Sequence, residues 1–122
     1  MIETQFGAIV RDYGTLVLTT LYGHSISSSG HLQLLASSGA ENTNMQWNAD
    51  RTNVSYQWGT GPTQVNLVSA KIKLSLDSKF AMHALDGTGK RISQVDTKLE
   101  AGKLIFEIGA PLKTIGYELI KE

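Results

Sequence analysis

The side chains with the most chemistry to offer crowd into one stretch of the 122-residue chain, GAENTNMQWNADRTNVSYQWGTGP, from Gly39 to Pro62. It holds both tryptophans, Trp47 and Trp58, with Tyr56 between them and a dense supply of Asn, Gln, Thr, Asp and Arg. Rings set among amides suit a sugar: a pyranose offers a face of C–H groups to stack on and a rim of hydroxyls that need donors and acceptors. Asn and Gln supply both, Asp accepts and Arg donates. Trp47 has polar neighbours on both sides, Asn44, Gln46, Asn48 and Asp50, so its ring is expected to face outward. Trp58 follows an apolar-aromatic run and reads either as platform or as core. Tyr56 and Tyr22 each add a ring and a hydroxyl. The candidate ligand-binding residues are therefore Trp47, Tyr56, Trp58, Tyr22, Asn44, Gln46, Asn48, Asp50 and Arg51.

Catalytic patterns are weaker. Ser, His and Asp all occur, but no G-x-S-x-G elbow does. Glu41 and Asp50 flank Trp47 and imitate a glycosidase pair, which needs a carboxylate separation of roughly 5 to 9.5 Å across a cleft. A small sandwich has little room for one. His24, His31 and His83 lack metal-site spacing, and His83, between Met82 and Ala84, reads as a histidine in a strand. The run DGTGKR has neither the spacing nor the following helix of a phosphate loop and reads as a hairpin turn. Oxygens near Glu41, Asp50 and Asp86 have the chemistry of calcium ligands without EF-hand spacing. The expectation is a protein that is not an enzyme and uses no cofactor.

Eleven Lys and Arg balance eleven Asp and Glu, and no single-sign block stands out. Nucleic acid and anionic membranes are bound through dense positive charge, so neither is expected as a partner. A neutral ligand fits better. The absence of cysteine excludes disulfides and thiolate metal sites. No stretch approaches the roughly 18 apolar residues that span a bilayer. The chain reads as a soluble module, expected to act outside the cell as part of a larger secreted bacterial protein.

What must position the aromatic stretch is β-structure. In AKIKLSL the apolar residues fall at Ala70, Ile72, Leu74 and Leu76, the period of a strand with one buried face. In LIFEI they fall at Leu104, Phe106 and Ile108, with Ile105 breaking the alternation. Further strands are predicted at Gly7–Val10, Thr15–Tyr22, His31–Ser37, Val54–Trp58, Gln64–Val68, Lys79–Leu85, Arg91–Val95 and Ile115–Ile120. DGTGK and EAGK supply turn residues for two hairpins, and Pro62 and Pro111 read as lying in connections. About ten short strands at this spacing predict one all-β domain over residues 1–122, a two-sheet antiparallel β-sandwich. Its expected core includes Leu16, Leu18, Leu34, Ile72, Leu74, Phe80, Phe106, Ile108 and Leu119.

The series GTLVLTTLYG, HLQLLASSGAENTNMQWNADRT, WGTGP, VSAKIKL, FAMHALDGTGKRI and TIGYELI resembles the accessory C-terminal β-sandwich behind the catalytic barrel of many bacterial glycoside hydrolases. The likeness runs from Gly14 to Ile120, and AENTNM and the WG-x-GP stretch are its most specific parts. It implies a non-catalytic carbohydrate-binding module similar to the family eighty-one modules, binding β-glucans such as cello-oligosaccharides from cellulose, xyloglucan or mixed-linkage glucan in plant cell walls. The module would be fused to a glycoside hydrolase catalytic domain. The alternative is a structural accessory domain that packs against that barrel and binds no sugar. Two departures matter: Tyr22 stands where Asp is usual, giving LYG, and Asn44 replaces the common Gly after ENT.

Overall fold

A computed structural model describes residues 2–7, 14–76 and 78–122. Eleven strands follow in order: β1 Ile2–Phe6, β2 Thr15–Thr20, β3 His31–Ser37, β4 Ala40–Thr43, β5 Thr60–Val65, β6 Ala70–Leu74, β7 Phe80–Leu85, β8 Arg91–Val95, β9 Thr97–Glu100, β10 Lys103–Ile108 and β11 Gly116–Lys121. They form a four-stranded sheet in the order β1-β6-β10-β9, a five-stranded sheet in the order β2-β3-β11-β7-β8, and a separate ribbon of β4 and β5. All strand pairs are antiparallel. The two large sheets face each other as a β-sandwich, as the alternation of apolar residues requires.

Between the sheets lies one core. Ile72 and Leu74 of β6 and Leu104, Phe106 and Ile108 of β10 meet Leu32 and Leu34 of β3, Phe80 and Met82 of β7, and Tyr117 and Leu119 of β11. Register explains the match: Leu104 pairs with Leu74 and Phe106 with Ile72, so both strands present apolar side chains to the same face. Ile105, the residue out of phase, stands on the outer face opposite Lys73.

Seven of the nine expected core residues are buried, while Leu16 and Leu18 are only partly so. They sit on β2, an edge strand, as β1 is the edge of the opposing sheet. A groove of about 330 Å³ remains open along that flank, lined by Ile2, Leu16, Leu18, Ile26, Leu74 and Leu76.

The hairpin turns form where Gly and Asp were placed to make them. Ala101 and Gly102 both have positive φ (52° and 75°) and join β9 to β10 in the two-residue turn that matches strand twist. Asp86 Oδ1 accepts from the Thr88 and Lys90 amides to close the β7–β8 turn. Three expectations are corrected. Val54–Trp58 is not a strand: Val54 is buried within a loop and Ser55 has φ 53°. The strand expected at Gln64–Val68 runs instead over Thr60–Val65. Pro62 therefore lies inside β5, tolerated because β5 has a partner on one side only. Residues 8–10 of the expected strand Gly7–Val10 lie outside the described residues.

Burial sets the cost of truncation. Phe106→Ala is expected to lower the unfolding free energy by about 3–5 kcal/mol, and Leu34→Ala by about 2–5 kcal/mol. Leu18→Ala, on the open flank, should cost less than Leu34→Ala. Urea titration of the three variants tests this; equal losses at Leu18 and Leu34 would contradict the placement of β2.

Candidate functional site

The aromatic stretch forms the tip of the β4–β5 ribbon. It leaves the sandwich at Ser38, whose amide donates to Asn66 O at 3.2 Å, while Asn66 N donates to Gly39 O at 2.8 Å. β4 and β5 then pair only with each other, with a register shift between Asn42 and Thr43. Thr43 Oγ1 bridges to Pro62 O at 2.8 Å, and Asn42 joins Trp58 O through Nδ2 at 3.1 Å and Thr63 Oγ1 through Oδ1 at 2.8 Å. Gly59 closes the neck. It has φ +75°, and a Cβ there would stand 2.2 Å from Thr43 O and 2.7 Å from Met45 N. Only glycine lets the two sides approach this closely.

Beyond the neck, residues 44–58 hold themselves in place. Gln46 N donates to Gln57 O at 3.1 Å and Asn48 N to Asn53 O at 2.9 Å. The Asn48 side chain ties the turn: Oδ1 accepts from Thr52 N at 2.9 Å, and Nδ2 donates to Thr52 Oγ1 at 3.1 Å. Asn53 Oδ1 accepts from Ser55 N at 2.6 Å. Asn44 and Arg51 have φ near +61° and +55°, the first being a position that Asn tolerates well. Of the amides expected to face a ligand, the Asn48 side chain is therefore committed to fixing the loop.

Trp47 is half-buried, and its indole is pinned on two sides. Nε1 donates to Glu41 Oε2 at 2.6 Å, and the Arg51 guanidinium, itself 3.0 Å from the same oxygen, lies 5.0 Å from the ring centroid. Glu41 thus joins ring and cation, and Arg51 covers one side of the indole. A shallow pocket of about 250 Å³ opens beside Trp47, lined also by Gln46, Asn53, Val54, Ser55 and Gln57. The freely presented rings are Tyr56, 82% exposed, and Trp58, 62% exposed. Trp58 is thereby a surface ring and not a core residue. Asn44, Gln46 and Asp50 are exposed on the same loop.

Tyr22 is not brought to this site. It lies beyond β2, with its ring 6.0 Å from that of His31. β3 then runs six residues on to Ser37, about 20 Å at strand rise, before the ribbon begins. No group of three or more His, Asp or Glu residues able to hold a metal ion occurs among the described residues. Compared with protein-family models, with curated proteins and with solved structures, the chain matches none. The class its geometry defines is an antiparallel β-sandwich carrying a hydrogen-bonded aromatic ribbon. The likeness to glycoside hydrolase accessory domains stands on the quoted residues alone.

A second polar cluster, on the outer face of the five-stranded sheet, was not singled out in the sequence because its members lie far apart along the chain. Glu118 Oε2 is 2.7 Å from His31 Nε2, and its Oε1 accepts from Arg91 Nε at 2.7 Å. Partial burial alone would raise the Glu118 pKa, but the hydrogen bonds from Arg91 and His31 outweigh it and hold the carboxyl below the usual range.

The geometry yields two expectations. Gly59→Ala should weaken the neck by more than about 1 kcal/mol, since φ is positive and the added Cβ meets backbone. Trypsin cleavage after Arg51 should then accelerate several-fold while the sandwich stays folded; an unchanged cleavage rate would contradict the close approach. The Glu118 carboxylate contributes stability that is fully present above its unfolded pKa and is lost as pH falls through the lower folded value. Parent protein should therefore lose more stability than Glu118→Gln on acidification below the usual carboxylate range, measured by urea titration at several pH values.

Proposed function

We propose that the protein is a non-catalytic carbohydrate-binding module that takes neutral β-glucan chains on its ribbon. The observation that carries this reading is the presentation of Tyr56 and Trp58, exposed over most of their surface, on a loop whose backbone is fixed by its own side chains. Rings on a rigid support lose little freedom when a sugar stacks on them. Trp47, pinned by Glu41 and Arg51, serves as a third ring at the shallow pocket, where Gln46 and Gln57 offer amides. The balance of charge agrees with a neutral partner. On this reading Asn48 and Arg51 act by fixing the loop, and Asn44 and Asp50 remain contacts at its rim. Fusion to a glycoside hydrolase and action outside the cell belong to the same proposal, resting on the resemblance.

The second reading, an accessory domain docked on a catalytic barrel, is favoured by a different observation, the apolar groove between the β1 and β2 edges. The two readings use different surfaces and are separable by experiment. Titration of cello-oligosaccharides, xyloglucan and mixed-linkage glucan against tryptophan fluorescence is expected to saturate with millimolar to micromolar dissociation constants, about 4 to 8 kcal/mol. Trp58→Ala should weaken binding at least about tenfold, which is 1.4 kcal/mol, with the thermal midpoint nearly unchanged. Salt should matter little. A flat titration across the glucan panel would overturn the module reading and leave the docking one.

A further inference from the structure

We infer that the outer face of the five-stranded sheet is a second β-glucan subsite, with Tyr22 as its stacking ring and Gln33, Glu118, Arg91 and Gln94 as its polar contacts. This rests on the proposed glucan reading and adds a surface to it. Register places the residues. Gln33 of β3 lies opposite Glu118 of β11, Glu118 opposite His83 of β7, and His83 opposite Gln94 of β8. Their inward neighbours Leu32, Leu34, Met82, Ala84, Tyr117 and Leu119 are buried, so this row points away from the core. It crosses four adjacent strands in an unbroken line of amide, carboxylate, imidazole and amide.

Three features set the row apart from an ordinary solvated face. First, its hydrogen-bonding capacity is left open. The Gln33 and Gln94 side chains and the terminal nitrogens of Arg91 have no hydrogen-bond partner among the described residues, and His83 Nδ1 is buried without one. Of these atoms only His83 Nδ1 is buried, and native structures leave few buried atoms unpaired; the Gln94 amide and the Arg91 nitrogens are exposed and open to a ligand hydroxyl. Second, the charged members are held still. Glu118 is fixed from both sides by His31 and Arg91, and its oxygens keep acceptor capacity for a ligand hydroxyl. The cluster also pairs its own charge, which suits a neutral ligand better than an ionic one.

Third, Tyr22 stands where nothing in the fold needs a ring. It is 84% exposed and takes φ +66°, a conformation that costs an aromatic residue energy and that Gly, Asn or Asp adopts more readily. Such strain at an exposed ring points to use of the ring and not to packing. Its position over His31 puts it at the end of the His31–Glu118–Arg91 chain of contacts. On the other flank of the row, exposed Val17 and Leu35 pair across β2 and β3 and give C–H surface for a chain lying along the sheet.

The test is titration of the whole protein with cellohexaose, read residue by residue in amide and side-chain NMR and counted by calorimetry. Two oligosaccharides per chain are expected, with shifts at Tyr56 and Trp58 and, separately, at Tyr22, Gln33 and Gln94. Tyr56→Ala/Trp58→Ala should lower the count from two to one and keep the second set. Tyr22→Ala/Gln33→Ala, shown to be folded by its amide spectrum, should lose the second set. Shifts confined to the ribbon, one ligand per chain, would overturn the second subsite and leave the ribbon reading intact. Shifts confined to the sheet face would support it and remove the ribbon reading, and shifts at neither would overturn both.

Discussion

The contact between β6 with β10 on one side and β3, β11 and β7 on the other is the constraint from which the rest of the structure derives. These five strands supply nearly all the fully buried side chains, and their alternation leaves no inner position for a polar ligand. What the core leaves free is the outer faces, the edge flanks and the ribbon that leaves the sandwich at Ser38 and Asn66. A close-packed interior also makes the outer rows rigid, since each outward side chain alternates with one locked in the core.

The ribbon solves a different physical problem. It has no share in the central core, so its order comes from hydrogen bonds and one small buried contact. Asn42, Asn48 and Asn53 each satisfy loop backbone or hydroxyl groups, and Val54 folds inward. Asn does this well because its short side chain carries both a donor and an acceptor close to the main chain. The residue type that advertises sugar chemistry in the sequence is thus one that a loop without a core needs for itself, as Asn48 shows. Composition does not separate the two uses; hydrogen-bond partners do.

Strands with one buried face were legible because alternation is a local signal. His31–Ser37 and Arg91–Val95 occur as read, and β6, β7, β10 and β11 differ only at their ends. Where burial is slight the signal fades. β4, β5 and β9 carry mostly exposed or half-exposed residues, and β1 is exposed at four of its five positions. Val54–Trp58 misled because a single inward valine beside aromatics imitates a strand, whereas here Ser55 turns the chain. Of the candidate site, the grouping of Trp47, Tyr56 and Trp58 on one loop followed from their closeness in sequence. The separation of Tyr22, and its meeting with His31, followed only from how β2 pairs with β3.

Tyr22 and Trp47 illustrate how local energetics assign roles to similar rings. Trp47 is held by a carboxylate and a guanidinium, so its orientation is set before any ligand arrives, and one of its sides is already occupied. Tyr22 has both sides open apart from a tilted contact with His31, and its backbone is strained. A pinned ring offers geometry at low entropic cost; an exposed ring in a left-handed turn offers uncovered area. Tyr22 and the ribbon lie toward opposite ends of β3, about 20 Å apart at strand rise. If both surfaces take glucan, a polysaccharide with many chains would engage the two at once, and its apparent affinity would exceed that of either site by the effective concentration the first imposes on the second. Weak individual contacts, each easily released, would then suffice for retention on a glucan surface.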